Sequence, residues 1–273
     1  DLKTRQGGGV SALLSAEPRI LGWDVAGVVE SVGRGVTRFS PGDMVFGMPW
    51  FPRQAGAYAE LVAAPSRQFA AIPSSLSAVD AATVPLSALT AWQALALAEV
   101  AAGRRVLVHG AAGGTGNLAV QIAKAQGAEV VGTARKDDFG FLEAVGADEL
   151  IDYTSRRFEE ALPAASFDAV LDFHGADDYP ARSLPLLRPG GTLVVVPSVA
   201  PRPSADEAAR HGVRVTGMMV EPDRADLESI AALITDGTLR IRSPHTFPLA
   251  EASEAHRALE GKKLRTKVAL IPG

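Results

Sequence analysis

The chain contains no cysteine among its 273 residues. Disulfides, thiolate metal ligands and a cysteine nucleophile are thereby excluded. Long apolar runs are missing too. The nearest, Leu86 to Val100, is interrupted by Ser87, Thr90, Gln93 and Glu99 and reads as a half-buried helix, not a membrane span. No long basic run occurs, and 27 basic against 31 acidic residues leave a net charge of −4. Nucleic acid and an anionic membrane are therefore not expected as partners. There is no Gly-x-x-x-x-Gly-Lys-Ser/Thr, which argues against a nucleoside triphosphate site. No Ser-His-Asp order with a nucleophile elbow appears, nor any paired carboxylates in a recognisable motif. The chain starts at Asp1 with no visible signal segment, so we expect the natural protein to begin further upstream. With no cysteine to oxidise, a cytoplasmic location is the expectation.

What is present is an ordinary globular composition, 47% hydrophobic and 21% charged, organised around one stretch. Arg105-Val106-Leu107-Val108-His109 reads as a short buried strand. Gly110-Ala111-Ala112-Gly113-Gly114-Thr115-Gly116 follows as a small-residue turn, and Asn117 to Ala125 as an amphipathic helix with Leu118, Ile122 and Ala125 on one face. Gly127 stands where a left-handed helix stop belongs. Ala128 to Thr133 supplies the next strand, completing a β-α-β unit. A turn without side chains lets an anion approach the backbone, where the amides and dipole of the helix start receive it. The dinucleotide fingerprint Gly-x-Gly-x-x-Gly is matched with Ala111 in its first position and Gly113 and Gly116 in the others.

Around this unit the pattern changes along the chain. Residues 1 to about 75 carry short β patterns: Val25 to Gly33, Met44 to Gly47 after the turn Phe39 to Asp43, and Gly56 to Val62. From Ser77 helical periods alternate with apolar runs at Glu149–Asp152, Phe167–Asp172, Gly191–Val196 and Val213–Met218. That alternation predicts an α/β fold, a doubly wound parallel Rossmann sheet, beside a mainly β lobe. We expect a β lobe over 1–84, a cofactor domain over 85–242 and a return to the lobe over 243–273.

Several short stretches, taken together and in order, resemble the zinc-independent quinone oxidoreductase branch of the medium-chain dehydrogenase/reductases. They are Asp1-Leu2-Lys3, Gly22-Trp23-Asp24-Val25-Ala26-Gly27-Val28-Val29, Gly56-Ala57-Tyr58-Ala59-Glu60, Leu89-Thr90-Ala91-Trp92, the Ala-Ala-Gly-Gly-Thr-Gly turn, Gly146-Ala147-Asp148, Arg188-Pro189-Gly190-Gly191 and Lys267-Val268. The resemblance implies a GroES-like catalytic lobe with further strands before Asp1, and hydride transfer from NADPH to a quinone or α,β-unsaturated carbonyl. It also implies a homodimer, for which the apolar stretch Val213 to Val220 offers a pairing edge. Zinc-dependent relatives carry Gly-His-Glu where this chain has Gly22-Trp23-Asp24, and Trp23 cannot ligate zinc. The five histidines, His109, His174, His211, His245 and His256, show no ligand spacing, so no metal site is expected. Conjugated acceptors remain accessible without a Lewis acid.

For the cofactor, Ala112, Gly113, Gly114, Thr115 and Gly116 are the expected phosphate cradle. The residues following the second strand select between NAD and NADP. Here Thr133 leads to Arg135 and Lys136, then Asp137. Arg135 suits bidentate contact with a 2′-phosphate. The alternatives are that Arg135 and Lys136 form a solvated loop with Asp137 as a helix cap, or that Asp137 reads the ribose. The resemblance sets Tyr153 beside the adenosine phosphate, Thr90 near the nicotinamide and Lys267 near the cleft, with Thr90 and Asp1 as the catalytic candidates. His174, Pro197 and Ser198 follow later strands at the carboxyl edge, where open α/β sheets bind ligands. A contrasting function, a cofactor-binding module with little turnover, needs the same turn.

Overall fold

The computed structural model describes all residues except 15–17, 176–177, 198–199, 262–263 and 265. Strands are named in chain order: β1 (Val25–Val28), β2 (Met44–Gly47), β3 (Phe69–Ala71), β4 (Arg105–His109), β5 (Glu129–Ala134), β6 (Glu149–Asp152), β7 (Phe167–Asp172), β8 (Leu187–Val195), β9 (Arg214–Gly217), β10 (His245–Pro248) and β11 (Val268–Ile271). The chain divides into two units, Asp1–Leu89 with Val220–Gly273, and Thr90–Met219. The divisions fall at 89/90 and 219/220, where the sequence suggested 84/85 and 242/243. Helix Arg224–Thr235 accounts for the second difference: it buries Leu227, Ile230 and Ile234 and packs against β3. Each such side chain contributes about 1.5–3 kcal/mol on leaving water, enough to decide which unit the helix joins.

The second unit is a six-stranded sheet in the order β6-β5-β4-β7-β8-β9, parallel throughout. The order reverses between β4 and β7, which makes that point the switch of a doubly wound sheet. Its strands are buried on both faces, as parallel sheets require: Val106, Leu107, Val108, Val130, Val131, Val170, Leu171, Leu193, Val194 and Val195 are all inaccessible. Helix Gly116–Ala125 covers the β4–β5 crossover with eight of its residues buried, Gly116 to Ala123. It ends at Gly127, whose φ of +81° is the left-handed stop read from the sequence.

The first unit holds an antiparallel sheet, β1-β2-β3, and a parallel pair, β10-β11. Asp43 Oδ2 accepts from Ser40 N at 2.8 Å, closing the turn into β2. At Gly47 an added Cβ would stand 2.3 Å from the Gln68 carbonyl oxygen, so glycine is what lets β2 and β3 approach. One expected strand does not form. Gly56 to Val62 is irregular; its backbone meets the chain through Ala57 N to Gly22 O (3.1 Å) and Tyr58 N to Leu21 O (2.9 Å), and the Tyr58 hydroxyl meets His256 Nε2 at 2.9 Å. The cause is local: Gly22 and Gly56 have φ of +93° and +66°, outside the extended region, and the Tyr58 ring fills the space where Gly22 would carry a side chain. The run beginning at Val25 likewise ends as a strand at Val28 rather than Gly33.

Candidate functional site

The turn between β4 and helix Gly116–Ala125 is pinned at both ends. Gly110, with φ +71°, donates its amide to Thr133 Oγ1 (3.4 Å), and Ala111 N donates to the Thr133 carbonyl (3.1 Å). The Gly110 carbonyl then accepts from Gly113 N at 2.9 Å. A Cβ on Gly116 would lie 2.1 Å from that same oxygen, so the helix start abuts the turn with no room for a side chain. Ala111 is fully buried and faces Gly132, where a Cβ would come within 2.9 Å of it. Thus the positive φ sits on Gly110, one residue ahead of the fingerprint's first position, and Ala111 is tolerated because Gly132 yields the space.

The far side of the turn is open. Gly113 and Gly114 are exposed, and Ala112 and Thr115 half-buried. Asn117 Nδ2 donates to the Gly113 (2.7 Å) and Gly114 (3.2 Å) carbonyls, holding them back toward the helix. The amides of Gly114, Thr115 and Gly116 meet no acceptor among the described residues. Donors gathered at the start of a ten-residue helix, beside the exposed Gly113 and Gly114, fit a pyrophosphate.

Other expected residues gather at the same carboxyl edge. Beyond β5, Arg135 is exposed and donates from Nε to the Tyr153 hydroxyl at 3.1 Å, so the loops after β5 and β6 meet through these two side chains. That hydrogen bond, then the charges of Asp137 and Asp138, raise the Arg135 pKa further. Lys136, also exposed, begins the short 3-10 turn Lys136–Asp138, which contains Asp137. The helix after it, Phe139–Ala144, has Asp138 at its cap position with no side-chain capping bond.

After β7, the His174 ring lies 6.2 Å from Tyr153 and 5.0 Å from Tyr179, and its backbone amide donates to Asp172 Oδ1 at 2.9 Å. His174 stands beside Gly110 at the switch point, 3.4 Å from where a Cβ would be. Pro197 packs on Gly175, and Ser198 lies outside the described residues. Thr133 is buried, its hydroxyl turned toward protein groups. Thr90 is buried in helix Pro85–Leu97. In the first unit, Lys267 Nζ lies 3.5 Å from Asp24 Oδ2, while Asp24 Oδ1 accepts from Leu86 N at 2.6 Å. Asp1 Oδ1 accepts from Gly22 N at 3.1 Å.

His109 is a site residue that sequence reasoning missed. It is fully buried at the end of β4, between Phe158 and Tyr179, with ring centroids at 4.4 and 5.0 Å. Its Nδ1 meets Thr133 Oγ1 at 3.2 Å and its Nε2 meets Ser183 Oγ at 3.0 Å. The partners lie 24 and 74 residues away, so no local motif announced them. Burial, with smaller contributions from His174 and Arg182, pushes its pKa down to about 3, and the ring is neutral. An unfolded histidine titrates near 6.5. The unfolded chain therefore binds the extra proton between about pH 6.5 and 3, and stability falls as pH drops through that window. A His109→Phe variant should lose this dependence, worth up to about 1.4 kcal/mol per pH unit. Urea midpoints of variant and wild type between pH 7 and 5 should diverge accordingly, and parallel lines would refute the assignment.

Trp23, whose indole has no lone pair to offer a metal, is core material. It is 3% exposed, packs edge-on against Phe51 at 5.6 Å and donates Nε1–H to the Arg53 carbonyl at 2.6 Å. Among the described residues no three His, Asp or Glu side chains gather as a metal ion would need. Among the described residues no helix is long and apolar enough to cross a membrane.

Residues 1–74 match the alcohol dehydrogenase GroES-like domain family, and residues 145–270 a family described as zinc-binding dehydrogenase. The pikromycin polyketide synthase component PikAII of Streptomyces venezuelae is 38% identical over 93% of the chain, which spans 7% of that synthase's length. The 2-methylene-furan-3-one reductase of Solanum lycopersicum is 35% identical over 84% of the chain and 58% of its own length. Among solved structures, the mycobacterial Rv1454c complexed with NADPH superposes with a TM-score of 0.81 at 29% identity, covering 94% of this chain and 84% of that one. The quinone oxidoreductase from Coxiella burnetii superposes with a TM-score of 0.90 at 36% identity, covering 98% of this chain and 84% of that one. On this similarity, in sequence and in fold, the chain belongs to the medium-chain dehydrogenase/reductase family of oxidoreductases.

Proposed function

We propose that this protein is an NADPH-dependent reductase of quinones or α,β-unsaturated carbonyls that works without a metal. The observation that carries the NADPH assignment is the Arg135–Tyr153 pair beyond β5 and β6. The tyrosine hydroxyl occupies Nε and sets the guanidinium plane, leaving the two terminal nitrogens to grip a 2′-phosphate. The amides of Gly114, Thr115 and Gly116 would hold the pyrophosphate, and His174 lies on the same edge. When bound, the nicotinamide supplies a hydride equivalent to the electron-poor carbon of the acceptor. A conjugated carbonyl or quinone accepts it with hydrogen-bond help alone, whereas a saturated ketone is less electrophilic and needs stronger polarisation by a general acid or a Lewis acid. The acceptor class is supported by two relatives, one named a quinone oxidoreductase and one a reductase of a methylene-furanone, which is an enone. In the same reading two copies pair through the edge strand β9.

Steady-state oxidation of NADPH with a panel of quinones, enals and saturated ketones tests the proposal. Turnover is expected with the first two and not the third, unchanged by a chelator, in protein holding no stoichiometric zinc. Preferential turnover of saturated ketones, or chelator-sensitive activity, overturns it. NADPH binding with no turnover of any conjugated acceptor would favour a non-catalytic cofactor-binding role instead.

A further inference from the structure

We infer that His109 is a positioning residue for the cofactor turn, acting through the Thr133 hydroxyl on Gly110. The inference rests on the reading that a dinucleotide sits on the Gly110–Gly116 turn, and it assigns a role to a buried side chain that meets no ligand itself.

Ser183 Oγ donates its single proton to the Tyr179 carbonyl at 2.7 Å. Toward His109 Nε2, at 3.0 Å, the serine oxygen therefore accepts, and Nε2 carries the imidazole proton. Nδ1 is then a bare lone pair at 3.2 Å from Thr133 Oγ1, and accepts the threonine proton. With its proton so placed, Thr133 Oγ1 turns a lone pair to the Gly110 amide at 3.4 Å. One orientation satisfies the whole chain, from the Tyr179 carbonyl to Gly110.

Gly110 is the residue on which the turn hangs. Its carbonyl receives Gly113 N and abuts Gly116 at the helix start. Thr133 holds the turn twice, through its hydroxyl on Gly110 and its carbonyl on Ala111. Without the imidazole acceptor, the Thr133 hydroxyl is a rotor free to point its proton elsewhere, including at Gly110 N–H, where two donors would repel. The amides that meet the pyrophosphate would then lose their fixed aim, and a loosened supporting shell costs affinity. His109 also stacks on Tyr179, which stacks on His174, so the same side chain buttresses the switch-point edge.

The test uses ADP-ribose, which carries the pyrophosphate but no 2′-phosphate, so that Arg135 does not enter. Its dissociation constant is measured by calorimetry for wild type, His109→Phe, Thr133→Val, Thr133→Ser and the double variant His109→Phe/Thr133→Val. Each of the first two single variants should weaken binding about tenfold. Thr133→Ser, which keeps the hydroxyl, should stay within about twofold of wild type, and the double variant should be no worse than either single. A merely structural role would not give that serine rescue or that non-additivity. The imidazole nitrogen NMR signals of the wild type should report the Nε2–H form. Wild-type affinity in His109→Phe, or additive losses in the double variant, overturns the inference. If His109→Phe does not fold, equal affinities of Thr133→Val and Thr133→Ser overturn it. A wild type that binds neither ADP-ribose nor NADPH sinks the cofactor reading and this inference together. Wild-type binding with insensitive variants sinks the inference alone.

Discussion

Gly116→Ala is expected to weaken dinucleotide binding by a hundredfold or more. The added Cβ would lie 2.1 Å from the Gly110 carbonyl oxygen and 2.9 Å from its carbon. That oxygen cannot swing away, because it already accepts from Gly113 N. The helix start must move instead, by about an ångström, and the amides at the anion site move with it. A hundredfold loss corresponds to about 2.7 kcal/mol, in keeping with a pyrophosphate held by aimed backbone amides. Gly140→Ala serves as a control, since nothing lies within 4 Å of its added methyl and helix propensity there should raise stability by about 0.5–1 kcal/mol. Calorimetry with NADPH, at a temperature where melting curves show both variants folded, separates binding from unfolding. Gly116→Ala binding within twofold of wild type would mean that the ligand sits elsewhere.

Arg135→Ala should cost NADPH roughly ten- to hundredfold in affinity and leave NADH almost untouched. A charge-assisted contact of this kind contributes about 1.5–3 kcal/mol, and each 1.4 kcal/mol is a factor of ten. The side chain is exposed, so the preference for NADPH should shrink as salt rises. Tyr153→Phe should have the same sign and a smaller size, because it frees Nε without removing charge. Titrating both cofactors against the three proteins decides the matter. Equal affinity for NADH and NADPH in the wild type, or tighter NADH, would assign the loop to Asp137 reading the ribose.

The parts of this molecule legible in its sequence are those governed by short-range rules. The Rossmann unit was legible because buried parallel strands are unbroken apolar runs and Gly127 must stop a helix. The anion turn was legible from the small residues Ala111 to Gly116, though which glycine takes the positive φ was not. That depends on Gly132 making room for Ala111 across the sheet, a contact between strands. Gly56 to Val62 alternates like a strand but is held irregular by the Gly22–Tyr58 packing, 36 residues apart. Helix Arg224–Thr235 reads equally well as an outer helix of either unit until its partner, β3, is known. His109 shows the limit most plainly: as a letter it is one of five histidines, and its meaning lies in Thr133 and Ser183.

Trp23 bears on how such a chain can change its chemistry. Its indole is core material and its Nε1–H covers the Arg53 carbonyl. A single exchange to histidine would shrink the ring, open a void and strand that carbonyl, together costing about 3–5 kcal/mol. Such a loss is a large fraction of the roughly 5–15 kcal/mol that holds a typical domain folded. The metal would have to repay it at once, with its remaining ligands not yet in place. The indole thus acts as a ratchet: with aromatic core at this position, a metal ligand cannot be installed there in one step without loss of packing. Designers seeking alcohol dehydrogenation from this scaffold would do better to rebuild the Phe51–Arg53 wall first.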